Sequence, residues 1–152
     1  MKNAMMILAL SLLTGSACAQ KLKETDVPAT VKDAFKKMWP DAKVEKWEKE
    51  GDWYEAEYEM GKTEGTVALD ANGNVMETEK EIKVSELPKA ISDYISKNMP
   101  GKKIKEASHI TDAKGMVTYE AEIDNVDYIF DADGKMLRKE EDKEKDDDKK
   151  KK

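Results

Sequence analysis

The chain has 152 residues with 27 basic and 33 acidic side chains, a formal net charge of −6, and its only arginine at Arg138. That balance excludes a broad cationic face for nucleic acid, which needs clustered Lys and Arg; one guanidinium also leaves little for bidentate reading of phosphates or base edges. One cysteine, Cys18, and one histidine, His109, exclude a disulfide framework and leave a zinc or acyl-transfer centre almost without ligands or nucleophiles.

Residues 1–19 read as an export leader. Lys2 precedes an apolar run from Ala4 to Leu13, small residues follow from Gly15 to Ala19, and cleavage is expected before Gln20. The run is shorter than the roughly 20 apolar residues of a membrane-spanning helix. The expected address is therefore the periplasm or the medium. A lipid anchor on Cys18, giving an outer-membrane lipoprotein, is the second reading; it lacks the leucine expected three residues earlier, where Gly15 stands.

Residues 20–84 and 85–141 read as two copies of one unit. Val27-Pro28, Pro40 and Val44 recur as Leu87-Pro88, Pro100 and Ile104 at an offset of 60, Tyr54-Glu55-Ala56-Glu57 recurs from Tyr119 at 65, and Asp70-Ala71-Asn72-Gly73 recurs from Asp131 at 61. Chance similarity of composition does not keep such order along a whole unit. Residues 142–152 hold only charged side chains and are expected to form a solvated tail.

Each unit opens on a helix. Pro28 and Pro88 suit a first helical turn, Val31, Ala34, Phe35 and Met38 form one apolar stripe, Leu87, Ile91, Tyr94, Ile95 and Met99 form the other, and Pro40 and Pro100 end them. Strands are then expected over 44–48, 53–60, 63–69 and 75–84, and again over 103–110, 116–123, 126–130 and 135–139. Two-residue alternation puts Tyr54, Ala56, Tyr58 and Met60 on one face with Val117, Tyr119, Ala121 and Ile123. Trp53, Glu55, Glu57 and Glu59 fall on the other with Thr118, Glu120 and Glu122. Gly61, Gly73, Gly134 and Asp124-Asn125 supply the turns. The fold class is α+β: α-β-β-β-β twice, joined edge to edge as one eight-stranded antiparallel sheet. Both helices lie on its apolar face, and the carboxylate face is wet.

The opening VPATVKDAFKKMWPDAKVEKWE, its echo LPKAISDYISKNMPGKKI, the YEAEYE and YEAEI strands and the DANGNV and DADGKM turns carry a family resemblance. The chain resembles the PepSY-like family of exported Bacteroidetes proteins, described as β-lactamase-inhibitor-like, over roughly 26–141. The resemblance implies a helix-backed antiparallel sheet, like that of a β-lactamase-inhibitor protein, whose open face holds a partner protein. It supplies no defined inhibitory motif to place on particular residues.

The remaining candidates weigh toward structure. The two Asp-Ala-Asx-Gly segments lack the ligand spacing of an EF-hand and are expected to be hairpin turns. The ladders Glu55, Glu57, Glu59 and Glu77, Glu79, Glu81 are expected to be solvated rather than a catalytic pair, which needs a buried or tightly shared carboxyl. His109 is expected to be an ordinary strand residue. Trp53 is the anomaly, because it shares the glutamate register while its counterpart in the second unit is Thr118. The face of Trp47 is not fixed by pattern. The functional expectation is thus a non-enzymatic exported protein-binding or inhibitor-like module with no cofactor and no metal. An envelope protein would dock on Trp53, Glu55, Glu57, Glu59, Thr118, Glu120 and Glu122. The alternative is a periplasmic carrier of a small cationic ligand or ion on the same acidic face.

Overall fold

In a computed structural model the described residues are Gln20–Glu141; the leader, Cys18 and the tail lie outside them. Nine strands and two α-helices follow one another as β1 (Gln20–Leu22), α1 (Ala29–Met38), β2 (Lys43–Glu50), β3 (Trp53–Met60), β4 (Thr63–Leu69), β5 (Val75–Ile82), α2 (Lys89–Asn98), β6 (Glu106–Asp112), β7 (Val117–Ile123), β8 (Val126–Phe130) and β9 (Met136–Glu141). All nine form a single antiparallel sheet in chain order. The expected eight-stranded sheet is corrected to nine by β1, which pairs Leu22 with Trp47 and lays Leu22 on the core. Three residues are too few for alternation to announce a strand.

The helices begin and end where the prolines put them. Pro28 and Pro88 sit just outside the first turn with extended ψ values of 141° and 135°, and their carbonyls accept from Val31 and Ile91. Each ends two residues before its second proline, with the capping Trp39 and Met99 donating back to Phe35 and Ile95. Ten residues is too short for a helix stable in isolation, so packing holds both. Under α1, Phe35 meets the rings of Trp39, Trp47 and Tyr58 at 5.5, 5.8 and 5.7 Å, and Val31, Ala56, Val67 and Leu69 complete the cluster. Under α2, Ile91 and Ile95 pack with Ala107, Ala121, Ile123 and Phe130, and Tyr94 meets Phe130 edge-on at 5.3 Å. Trp47 therefore belongs to the core. Met38 and Met60, expected in the apolar stripes, are 42% and 41% exposed because they lie at element ends past the last packed turn.

Both helices cover the same face. Directly paired residues share a side of the sheet, and the pairs run Tyr58–Gly65–Lys80–His109–Tyr119–Phe130 from the α1 cluster to the α2 cluster. His109 is a strand residue in this row, its ring edge-on to Tyr119 at 5.3 Å.

The turns after β4 and β8 seat the helices. Asp70 Oδ1 accepts from the N–H groups of Asn72 and Asn74 at 2.8 and 2.9 Å, and Asp131 Oδ1 accepts likewise from Asp133 and Lys135 at 3.1 and 2.9 Å. A third copy at Asp112, with bonds of 2.8 Å from Lys114 and Met116, closes the β6–β7 hairpin. Gly73 and Gly134 both have φ near +81°, and a Cβ there would lie 2.7 Å from Ala34 Cβ and from the Ala90 carbonyl carbon. Glycine is required twice over, by dihedral and by the helix resting on the turn.

Candidate functional site

The helix-free face is built from four rows of paired residues. Glu48–Glu55–Ala68–Glu77–Asp112 and Lys46–Glu57–Thr66–Glu79–Ile110–Thr118 cross from β2 toward β7. Glu81–Ser108–Glu120–Ile129–Arg138 and Glu106–Glu122–Asp127–Glu140 continue to β9. Trp53 enters at one end, paired with Glu50 and half-buried. All seven residues expected on this face, Trp53, Glu55, Glu57, Glu59, Thr118, Glu120 and Glu122, lie in this register.

The face is not wet. Glu55, Glu79, Glu120, Glu122 and Glu48 are buried, with Glu79 only 3% exposed, although among the described residues both helices lie on the opposite side. Curvature explains it. The charge of Glu140 on β9 acts on Glu77 of β5 and on Glu50 of β2. In a flat sheet β2 and β9 stand seven strand spacings, about 34 Å, apart. The sheet curls so that this face is its concave side, where side chains crowd one another out of water. Ile110 and Ile129 meet in its floor, at 3% and 0% exposure, beside Ala68, Thr66 and Ser108. Alternation reported the correct side for each residue; it carried no information about curvature, and that is why the expected solvated ladder is corrected.

Cations serve the periphery. Lys46 Nζ lies 2.9 Å from Glu48 and 3.8 Å from Glu57, Lys105 Nζ 2.9 Å from Glu122, and Arg138 Nε 2.6 Å from Glu140. The centre is different. Glu79 accepts from Ser108, yet among the described residues its Oε1 is buried without a partner, as is Oε2 of Glu120. Burial, then the charges of Glu50, Glu48 and Glu57, pushes Glu55 up to about 8 against the opposing pull of Lys46. Burial pushes Glu77 up to about 7, with Arg138 opposing and Asp112, Glu140 and Glu50 adding to the rise. Glu79 and Glu120 are both raised, foremost by burial; Glu120 adds to the rise at Glu79, and Asp127, Glu140 and Glu122 add to that at Glu120. Burial thus favours the protonated form throughout the middle of this nominally acidic face.

Between β3, β4 and β5 the face opens into a small cleft lined by Glu55, Thr66, Ala68, Glu77 and Glu79, with room for about one water molecule. Sequence reasoning named Glu77 and Glu79 only as part of a solvated ladder. The signal that could have raised their interest is the run of carboxylates facing Thr66, Ala68, Ser108 and Ile110, residues too small or too apolar to keep them hydrated. Among the described residues no three His, Cys, Asp or Glu side chains are arranged to hold a metal ion.

The chain matches, over residues 16–76 and again over 57–138, the family described as "Putative beta-lactamase-inhibitor-like, PepSY-like". It belongs to that family. The two overlapping matches cover most of the chain. Among solved structures, the PepSY-like chain is similar to a putative periplasmic protein from Bacteroides eggerthii, at 17% identity and a TM-score of 0.67 over 75% of this chain and 88% of that one. It is also similar to a BLIP-like protein from Bacteroides fragilis, at 25% identity and a TM-score of 0.59 over 74% of this chain and 85% of that one. No curated protein matches it in sequence.

Proposed function

We propose that this PepSY-like chain is a non-enzymatic, inhibitor-like protein-binding module of the periplasm or the medium. In this reading, residues 20–84 and 85–141 are two copies of one unit that together present a single curved docking face. The observation that carries the reading is the concave side of the sheet. Its rim bears the half-buried side chains of Trp53, Glu57 and Glu59, and its floor bears Glu55, Glu120, Glu122 and Thr118. Both helices stabilise the other side, so they leave this surface to a partner. An aromatic anchor beside polar groups is the composition that dominates protein interfaces. The BLIP-like relative and the leader-like first 19 residues support the module and its address.

The test is capture of an envelope protein by the immobilised chain, repeated with Trp53→Ala and with Thr25→Ala, a site away from this face. The reading expects saturable capture that Trp53→Ala weakens by tenfold or more and Thr25→Ala leaves alone. Capture that ignores Trp53, or no saturable partner at all, removes it.

A further inference from the structure

We infer that the cleft between β3, β4 and β5 receives a primary ammonium group, the Nζ of a lysine presented by the partner protein. The inference rests on the docking reading and adds to it the chemistry of the partner's contact.

Three carboxyl groups, Glu55, Glu77 and Glu79, line the cleft, and an ammonium carries three donors. Glu79 supplies a buried Oε1 with no partner, a group whose isolation costs about 1–3 kcal/mol until a donor reaches it. The chain's own nearby cations are engaged elsewhere: Lys46 with Glu48 and Glu57, Lys105 with Glu122, Arg138 with Glu140. Size decides between cations. An ammonium head is close to water in volume and fits a cleft that holds about one water, whereas a planar guanidinium does not. A metal ion is disfavoured because among the described residues no three His, Cys, Asp or Glu side chains are placed to ligate one.

The surroundings make the site proton-linked. Facing Glu79 are Glu77 on its own strand, Glu55 on β3, Ser108 on β6 and Glu120 on β7. Facing Glu55 are Glu48, Glu50 and Lys46 on β2 and Glu57 on β3, and facing Glu77 are Glu50, Asp112, Arg138 and Glu140. Acids outnumber bases around all three. With no ligand, burial holds all three toward the protonated form, Glu55 up to about 8 and Glu77 up to about 7; an entering ammonium favours the carboxylates and releases protons to solvent.

The probe is methylammonium chloride, with ionic strength held constant by tetramethylammonium chloride, which has the charge but no N–H donors. Side-chain carboxyl carbons of the full chain are followed by NMR at pH 7, and proton release by the buffer dependence of the heat of binding. The expected result is saturable movement of the Glu55, Glu77 and Glu79 signals toward the carboxylate position, with proton release and with no response to tetramethylammonium alone. Glu79→Gln, close in shape to Glu, should weaken it at least tenfold; Glu77→Gln is the second variant should the first unfold. No saturable movement, an equal response to guanidinium, or occupancy by a divalent cation that shuts out methylammonium would overturn the assignment. In the capture assay, loss with both Glu79→Gln and Trp53→Ala supports it. Capture that survives Glu79→Gln but falls with Trp53→Ala overturns the lysine contact and leaves the docking reading standing; indifference to both removes the two together.

Discussion

Replacing Glu55 by glutamine should change the pH dependence of stability more than stability itself. In the unfolded chain Glu55 ionises near its ordinary value of 4.5, and in the folded protein burial among Glu50, Glu48 and Glu57 holds the proton to about pH 8. Between those values the folded state binds the extra proton. Stability therefore falls as pH rises, by about 1.4 kcal/mol per unit for one such group. Over the full interval the upper bound is about 5 kcal/mol, and local relaxation and water entry leave roughly 2–4 kcal/mol as the expected effect. Glu77, Glu79 and Glu120 act with the same sign, so the wild-type chain should lose urea resistance steadily from pH 5 to pH 8. Glu55→Gln should be nearly equal to wild type at pH 5 and more stable by roughly 2–4 kcal/mol at pH 8, the gap opening across that window. The assay is urea unfolding at unit pH steps, read by tryptophan fluorescence, since Trp39 and Trp47 report on the α1 core. A wild-type stability that is flat or rises from pH 5 to pH 8, or a variant curve that stays parallel to it, would refute the buried-acid account of this face.

Other substitutions test other layers. Lys46→Met removes the cation beside Glu48, Glu57 and Glu55; it should cost about 2–3 kcal/mol at pH 8 and less at pH 5, by the same urea assay. Gly134→Ala should cost more than about 2 kcal/mol in thermal or urea unfolding, because it combines a φ of +81° with a Cβ driven into Ala90. Gly101→Ala, at the same φ but with nothing within 4 Å, isolates the dihedral part at about 1 kcal/mol. Phe35→Ala should cost about 3–5 kcal/mol by opening a hole among Trp39, Trp47 and Tyr58, with a matching loss of near-ultraviolet circular dichroism. Asp70 titrates in a separate window: its hydrogen bonds with Asn74 and Asn72 hold it below the usual carboxylate range. The stability it contributes is present above about pH 4 and is lost only as pH falls below that, so Asp70→Ala should alter the acid limb of the curve and leave the pH 5–8 slope unchanged.

Much of the fold was legible because its devices are local. The prolines placed both helices, and two-residue alternation placed β3, β4 and β8 residue for residue and chose the side of the sheet for Tyr54, Ala56, Tyr119 and Ala121. The paired Asp-Ala-Asx-Gly segments marked the turns on which the helices rest. Trp47 was ambiguous because its strand alternates Lys and Glu on both sides of it; only the register against Ala56, under Phe35, fixes its face. β1 escaped because its contribution is one side chain, Leu22. The state of the glutamates escaped for a deeper reason. Their exposure depends on how far β9 curls back toward β2, a relation between residues some 90 positions apart in the chain that no window of sequence contains.

That curl turns one sequence rule into two different surfaces. On the convex side alternation gives a layer of apolar residues, and two ten-residue helices cover it with Val31, Phe35, Ile91 and Ile95. On the concave side the same alternation gives glutamates that converge as the strands bend inward. Lysines reach Glu48, Glu57 and Glu122. Among the described residues none reaches Glu79, and burial shifts the central acids toward their protonated forms. In the reading proposed above, burial holds the central acids toward their neutral form until a donor arrives. Charge is created on binding instead of being displayed beforehand. An acidic surface of the same composition on a flat sheet would attract any cation, whereas this one discriminates by whether a donor can enter the cleft beside Glu55, Glu77 and Glu79.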